Sequence, residues 1–406
     1  MKNLLVVSVS APPKGGAESL QVDRYLSYLK HAFNISLLTT KPPRSGWAKL
    51  DPDLVSNLPD IKTYELNGFY NRYFRYFLRL FFKSGAAKLD YDFLFPRQWR
   101  RATKMLKDKP DVIYSRSLPF SSAVMARKLA AYYKVPWVMH LSDPWVGNPY
   151  LADSHRSTHV LNEALCIEQA NMVSFTTRQA LEYYTRRYPT HATKFFITPN
   201  VYKEEGKPER KSDLTSKLVF THTGNFYSER NPDFFLQALE AIDEQHPGLL
   251  KNIQVNFVGN ADEYSEERIR TCPLDQVVFY GPKSYAESVA MQNDSDVLVV
   301  IDKPVKKEED TLFLPSKVLD YMVTGRYILA ITDDTSCTSG LVSEGFGVAC
   351  GYDDLNKLKN AIMQLIQAHH NGDYAYFKTQ RPHPAYSAKV NSGELISKLN
   401  TLVCAE

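Results

Sequence analysis

Cysteine is scarce in this sequence. The five cysteines among 406 residues, Cys166, Cys272, Cys337, Cys350 and Cys404, are scattered and odd in number. No C-x-x-C spacing occurs, so neither a zinc site nor a disulfide framework is indicated. Reduced cytosol is the simplest compartment for such a chain. Long apolar runs are also lacking: no segment offers the roughly 18 uninterrupted apolar residues of a spanning helix. The apolar part of MKNLLVVSVSAPP is too short for a signal peptide and reads as a first buried strand. Internal repeats and low-complexity tracts are missing. The net charge is only +4, too small to imply a nucleic-acid partner, and none is expected.

What is present is a regular alternation. LLVVSVS, ISLLTT, DVIYSRS, VPWVMHLSD and MVSFTT read as strands, and ITPN closes the series. Helices are expected near 17–30, 121–133 and 161–170. Continuous apolar strands of this kind belong to a parallel sheet covered on both faces. The charged, aperiodic VYKEEGKPERKSDLTS follows and reads as a linker. A second alternating series begins at KLVFTHTGN, with helices expected near 232–243, 285–292, 316–324 and 354–369, and a last one over 387–403. The reading is therefore α/β, with two doubly wound Rossmann-like domains facing across a cleft. The expected limits are 1–203 for the first domain, 204–216 for the linker, 217–386 for the second domain, and 387–406 for a C-terminal helix packing back toward the first.

The most informative stretch is FLPSKVLDYMVTGRYILAIT. Pro315 and Ser316 open a helix, with Ser316 expected at the N-cap. A helix start beside a cleft offers free N–H groups and a positive dipole end, which suits a diphosphate. Lys317 adds charge there, and Asp320, one turn on, is placed to accept from a ribose. Read by periodicity alone, the stretch is also an ordinary capped helix packed on a sheet.

PSKVLDYMVTGRYILAI resembles the donor-site segment of GT-B glycosyltransferases, specifically the retaining family 4 that builds bacterial surface polysaccharides and glycolipids. PPKGGAES resembles that family's N-terminal glycine loop, HLSDPW its acceptor-side loop, and ITPNVY the segment before its linker. HTGNFYSERNPDFFLQAL resembles its first donor-domain strand, loop and helix. The pieces occur in the family's order and span nearly the whole chain.

The resemblance implies a nucleoside-diphosphate sugar as donor substrate, with a uridine diphosphate sugar the first expectation, and no required cofactor or metal. It assigns donor binding to Gly15, Gly16, Gly224, Asn225, Lys283, Pro315, Ser316 and Asp320. Gly224 matches the family's strand-end glycine and Arg230 the second of its two diphosphate-holding basic positions. The first basic position is Asn225 here, so Lys317 or Lys283 is expected to supply the missing charge. Leu312 stands where the family's first motif acid would fall, with Glu308, Glu309 and Asp310 as neighbouring stand-ins. Catalysis is assigned to Arg230 and Lys317 on the leaving group, and to Asp143 or His140 on the acceptor hydroxyl, with Asp143 preferred. Asp143 also reads as an N-cap, His140 as a half-buried structural histidine, and Glu168 as a structural anchor. The D-x-D triplets Asp51–Asp53, Asp90–Asp92 and Asp294–Asp296 are not read as metal ligands.

One stretch stands apart. FYNRYFRYFLRLFFKSG carries Arg72, Arg75, Arg79 and Lys83 at spacings of a single helical stripe among aromatics. Residues 69–109 hold eleven Lys/Arg against three Asp/Glu, an excess of eight positive charges that leaves the rest of the chain net negative by four. A basic stripe with aromatics describes an interfacial helix on an anionic membrane surface. A hairpin packed on its own domain is the other reading. The combined expectation is a cytoplasmic glycosyltransferase, peripheral on the inner face of the cytoplasmic membrane, acting on a lipid-linked acceptor. The rivals are a nucleotide-sugar 2-epimerase of the same fold and an inactive nucleotide-sugar-binding homologue.

Overall fold

The structure, a computed structural model, describes residues 1–42, 50–51, 61–67, 95–148, 151, 156–203 and 216–404. The chain divides into two compact units, Met1–Lys203 with Pro384–Glu406, and Glu204–His383. In the first unit the elements run β1 (Lys2–Val7), α1 (Ala17–Leu29), β2 (Phe33–Thr40), β3 (Lys62–Leu66), α2 (Trp99–Met105), β4 (Val112–Ser117), α3 (Ser121–Tyr133), β5 (Trp137–Leu141), α4 (Arg156–Gln169), β6 (Met172–Phe175), α5 (Arg178–Arg187) and β7 (Phe195–Ile197). The strands form one sheet in the order β3-β2-β1-β4-β5-β6-β7, and every pairing is parallel. β4 is buried along its whole length, as a strand covered on both faces must be. Val22, Tyr25, Leu26 and Leu29 recur at helical spacing and carry the buried face of α1 into the core with Leu4 and Val6.

The second unit repeats the plan with β8 (Leu218–Thr223), α6 (Asp233–Gln245), β9 (Ile253–Val258), α7 (Glu263–Arg270), β10 (Val277–Gly281), α8 (Tyr285–Asn293), β11 (Val297–Ile301), α9 (Ser316–Thr324), β12 (Tyr327–Ile331), α10 (Cys337–Ser343), β13 (Gly347–Cys350) and α11 (Leu355–His370). Its six parallel strands lie in the order β10-β9-β8-β11-β12-β13. The chain then returns to the first unit. The Ala388 N–H donates to the Tyr202 carbonyl at 3.0 Å, and α12 (Ala388–Cys404) follows. Ala388, Leu395 and Leu399 complete the core built by Leu4, Val22 and Leu26.

In each sheet the order reverses once, at β1/β4 and at β8/β11. Neighbouring crossovers depart in opposite directions there, which opens a crevice beyond the carboxyl ends of the strands. These two places hold the chemistry described below.

Arg72, Arg75, Arg79 and Lys83 lie outside the described residues, as do Asp53, Asp90, Asp92 and nearly all of the linker. Among the described residues no helix is long and apolar enough to cross a membrane.

Candidate functional site

In the second unit the site begins with the composition of β8. Its start is apolar core, but its end reads Thr-His-Thr and is buried. Buried polar atoms need partners, and these have them. Ser295 Oγ donates to Thr221 Oγ1 at 2.6 Å, and Gln292 Nε2 donates to Thr223 Oγ1 at 2.8 Å. The Thr223 N–H donates to the Tyr321 hydroxyl of α9 at 2.8 Å. That bond fixes α9 against the end of β8. Lys317 lies four residues before Tyr321, on the same helical face, so its side chain is carried to the same strand end.

There the chain needs glycine. Gly224 has φ +143, and a Cβ on it would stand 2.5 Å from Lys317 Nζ. The ammonium thus rests against the bare backbone of the turn. It also lies 3.4 Å from His222 Nε2. His222 Nδ1 is 2.9 Å from the Val299 carbonyl, so that nitrogen donates and Nε2 is left to accept from Lys317. Burial, and then Lys317, push the His222 pKa well below the usual imidazole value, and the ring is neutral. Burial, and then Arg230, push Lys317 down to about 7, while Asp302 pulls it up. Arg230 Nη1 donates to the Tyr227 hydroxyl at 3.1 Å, and Nη2 lies 3.8 Å from Asp302 Oδ1. Asp302 Oδ2 is held by Thr332 Oγ1 at 3.0 Å. Lys317 and Arg230 therefore share the β8/β11 switch point with the Asp302 carboxylate, where a bound anion would favour the charged form of the amine.

Gly224, Arg230 and Lys317 are thus brought together, as the motif suggests. Ser316 is not the N-cap. That position falls to Pro315, and Ser316 is the first helical residue, so no side chain caps the first-turn N–H groups. This leaves the helix start more open to an anion than a serine cap would. Asp320 is half-buried one turn further on. Asn225 Oδ1 accepts from the Asn260 N–H and Nδ2, both at 3.1 Å, and ties two loops. Lys283 Nζ lies 3.7 Å from Glu287 on α8. Leu312 is core. Asp310 is a loop staple: it accepts from the Lys306 and Lys307 N–H groups and pairs with Lys303 at 2.5 Å. Asp296 Oδ2 accepts from the Val219 N–H at 2.9 Å, a strand-end role.

In the first unit the polar groups gather at the β1/β4 switch point. Gly16, at φ 113, is the N-cap of α1 and gives it no side-chain cap. Gly15, beside it, is half-buried. Lys14 pins this loop by donating to Thr39 Oγ1 at 2.7 Å and to the Thr40 carbonyl at 2.6 Å. Glu18, in the first turn, accepts from Arg116 Nε of β4 at 2.7 Å. Burial pushes Glu18 up to about 7, with Arg116 and Ser142 opposing and Asp143 adding to the rise. Asp143 is half-buried in the loop after β5. His140 does not face outward. It is fully buried within β5, with Nδ1 2.9 Å from Ser174 Oγ, and burial holds its pKa well below the usual value.

The anchor of this region is Glu163 rather than Glu168, which is exposed. Glu163 Oε2 accepts from the Val146 N–H at 2.7 Å and from the Tyr184 hydroxyl at 2.9 Å, and Oε1 accepts from the Tyr188 hydroxyl at 2.8 Å. Arg187 Nε lies 3.4 Å away. The loop after Asp143 is therefore held by one buried carboxylate. Glu163→Ala is expected to cost about 3–5 kcal/mol, because it strands those donors. The check is the denaturant midpoint, and a shift worth less than about 1 kcal/mol would contradict the anchoring role.

No family model matches this sequence, and no curated protein is similar to it by sequence. Solved structures are similar in shape. A sucrose-phosphate synthase from Thermosynechococcus elongatus is 17% identical with a TM-score of 0.66, over 100% of this chain and 97% of that one. Anabaena HepE, solved with UDP, is 14% identical with a TM-score of 0.67, over 99% and 100%. A UDP-N-acetylglucosamine 2-epimerase from Listeria monocytogenes, so described provisionally, is 12% identical with a TM-score of 0.63, over 99% and 96%. The fold is GT-B. At these identities the likeness establishes that fold and no more. A GT-B chain has two Rossmann-like units, and both switch points described above belong to that plan.

Proposed function

We propose that the protein is a glycosyltransferase. It moves a sugar from a nucleoside-diphosphate donor to a glycan acceptor, with retention of configuration and without a required metal. The observation that carries this reading is the packing of Lys317 Nζ against Gly224, with Arg230 in the same cluster at the β8/β11 switch point. Charge develops on the diphosphate oxygens as the sugar leaves. Fixed donors aimed at such oxygens are the largest single source of rate in reactions of this type. The resemblance of PSKVLDYMVTGRYILAI to the retaining family supports the same reading, as do neighbours solved with UDP and UDP-glucose. A uridine diphosphate sugar is the proposed donor.

The proposed acceptor is lipid-linked, and the proposed location is the inner face of the cytoplasmic membrane. The sequence of residues 69–109 supports this, through the basic stripe of Arg72, Arg75, Arg79 and Lys83. A second reading, nucleotide-sugar 2-epimerisation, is favoured by one observation: Glu18 and Asp143 form a pair of acids in the first unit. The deciding experiment incubates purified protein with a panel of UDP-, GDP-, dTDP- and ADP-sugars, with and without detergent-solubilised bacterial lipid. Nucleoside diphosphate released from one donor, and stimulated by lipid, is the expected result. Interconversion of two nucleotide sugars without lipid dependence would replace it with the epimerase reading. Donor binding without any turnover would leave a binding protein.

A further inference from the structure

We infer that the first unit carries an anion site at the amino ends of its strands, which takes a phosphomonoester or diphosphate group. The crevice at the β1/β4 switch point opens beyond the carboxyl ends. This site lies at the opposite edge of the same sheet and does not depend on the glycosyl-transfer reading. A depression of about 480 Å³ is lined there by Lys2, Lys107, Lys109 and Lys134, with Asp108 and Asp111. That volume lies within the roughly 300–1,000 Å³ of ordinary ligand clefts. The lining converges from three neighbouring strands: Lys2 opens β1, the 107–111 loop leads into β4, and Lys134 stands between α3 and β5.

The charge is unbalanced. Both acids are engaged: Asp108 Oδ2 pairs with Lys62 Nζ at 2.7 Å, and Asp111 Oδ2 accepts from the Asn3 N–H at 2.7 Å. The four lysine ammonium groups have no hydrogen-bond or ion-pair partner among the described residues. A depression lined by one sign of charge focuses the field on whatever enters it. The cations are also displayed on fixed backbone. The Asp111 N–H donates to the Asn3 carbonyl at 2.8 Å, and Asn3 Nδ2 donates to the Lys109 carbonyl at 3.2 Å. Pro110 between them is buried, so the loop carrying Lys107 and Lys109 is tied to the start of β1. Lys134 has φ 54, the left-handed conformation in which helices end on glycine far more often than on lysine. The Val135 N–H donates to the Ala130 carbonyl at 3.2 Å and holds that turn. A long side chain kept in a costly conformation at the rim of the depression is accounted for by the charge it brings there. The ligand class follows from the donors. All four cations are lysines, point charges without the planar fork that arginine offers a carboxylate. They favour charge density over shape, which a phosphate group with two or more charges supplies. A soluble phosphorylated compound and a lipid headgroup share that chemistry.

The test uses the full chain. Inorganic pyrophosphate is titrated by calorimetry into wild type, Lys107→Gln/Lys134→Gln and a control pair of exposed lysines elsewhere, Lys251→Gln/Lys389→Gln. UDP is present throughout to fill the second unit's phosphate site, and its own affinity is measured separately. The pocket pair is expected to bind pyrophosphate about tenfold or more weakly than wild type, with UDP affinity within about twofold and Tm unchanged or raised. The control pair is expected to bind as wild type does, and the wild-type affinity to fall with added salt. Wild-type pyrophosphate affinity in the pocket pair overturns the site. So does an equal loss in the control pair, which marks an effect of net charge alone. Co-sedimentation with phosphatidylcholine vesicles, with and without phosphatidate, separates the sources. Pelleting with phosphatidate that the pocket pair loses assigns a lipid headgroup. Equal pelleting of wild type and pocket pair, with pyrophosphate binding lost in the pair, assigns a soluble phosphorylated compound.

Discussion

Lys317→Met is expected to lower kcat about 10²–10³-fold, the usual consequence of deleting one fixed donor from a site of developing negative charge. Nucleoside-diphosphate affinity should fall as well, because a hydrogen bond to a charged group is worth about 1.5–3 kcal/mol. A second signature is specific to this lysine. In the free protein, burial and Arg230 hold its pKa down to about 7. A bound diphosphate favours the ammonium and raises that pKa, so binding above about pH 7 takes up a proton. Calorimetry in buffers of different ionisation enthalpy would show the uptake in wild type and its loss in Lys317→Met. Equal proton uptake in the two proteins, or an unchanged kcat, would remove Lys317 from the phosphate site.

Gly259→Ala is expected to weaken nucleotide binding and lower stability together. A Cβ at this position would stand 2.1 Å from the Gly224 carbonyl oxygen and 2.6 Å from its carbon, both backbone atoms. Gly259 also has φ +136, a conformation that side chains rarely adopt. The close approach is part of the ladder, since the Gly224 N–H donates to the Val258 carbonyl at 2.8 Å and the Gly259 N–H to Gly281 at 2.9 Å. No rotamer relieves such a clash, so the turn that carries Gly224 must move away from Lys317. The strain alone is worth about 1–3 kcal/mol, and each kcal/mol lowers Tm by roughly 2–4 °C in a unit of this size. Nucleotide affinity should fall by about tenfold or more. Normal affinity with normal Tm would show that the turn has room that the backbone geometry denies it.

Much of this site was legible in the sequence, for identifiable reasons. α9 could be read because Pro315 opens it, Gly325 ends it, and its apolar positions recur at helical spacing. Arg230 and Gly224 were legible through the resemblance of HTGNFYSERNPDFFLQAL to a known segment. His222 lies in the same segment, but a histidine inside a strand gives no signal until its neighbours are known. Glu18 and Arg116 are 98 positions apart, and only the folded sheet joins them. Glu163 and Glu168 lie on one helix, and which of them anchors the loop depends on which face meets Tyr184. The helices α5 and α7 carry no such signal. RQALEYYTRR and EYSEERIR bury only two residues each, so no apolar stripe announces them. β3 and β13 end their sheets and are short, and short edge strands carry weak patterns.

The return of α12 to the first unit sets the order in which the chain can be completed during synthesis. Ribosomes release about 5–20 residues each second, N-terminus first, and domains generally fold as they emerge. The second unit ends at His383 and has all its strands before α12 is made. The first unit holds the earliest residues but waits for Ala388, Leu395 and Leu399 to close over Leu4, Val22 and Leu26. Its apolar face therefore stays uncovered while the later unit is made, and the N-terminal half of the protein is the last to be finished.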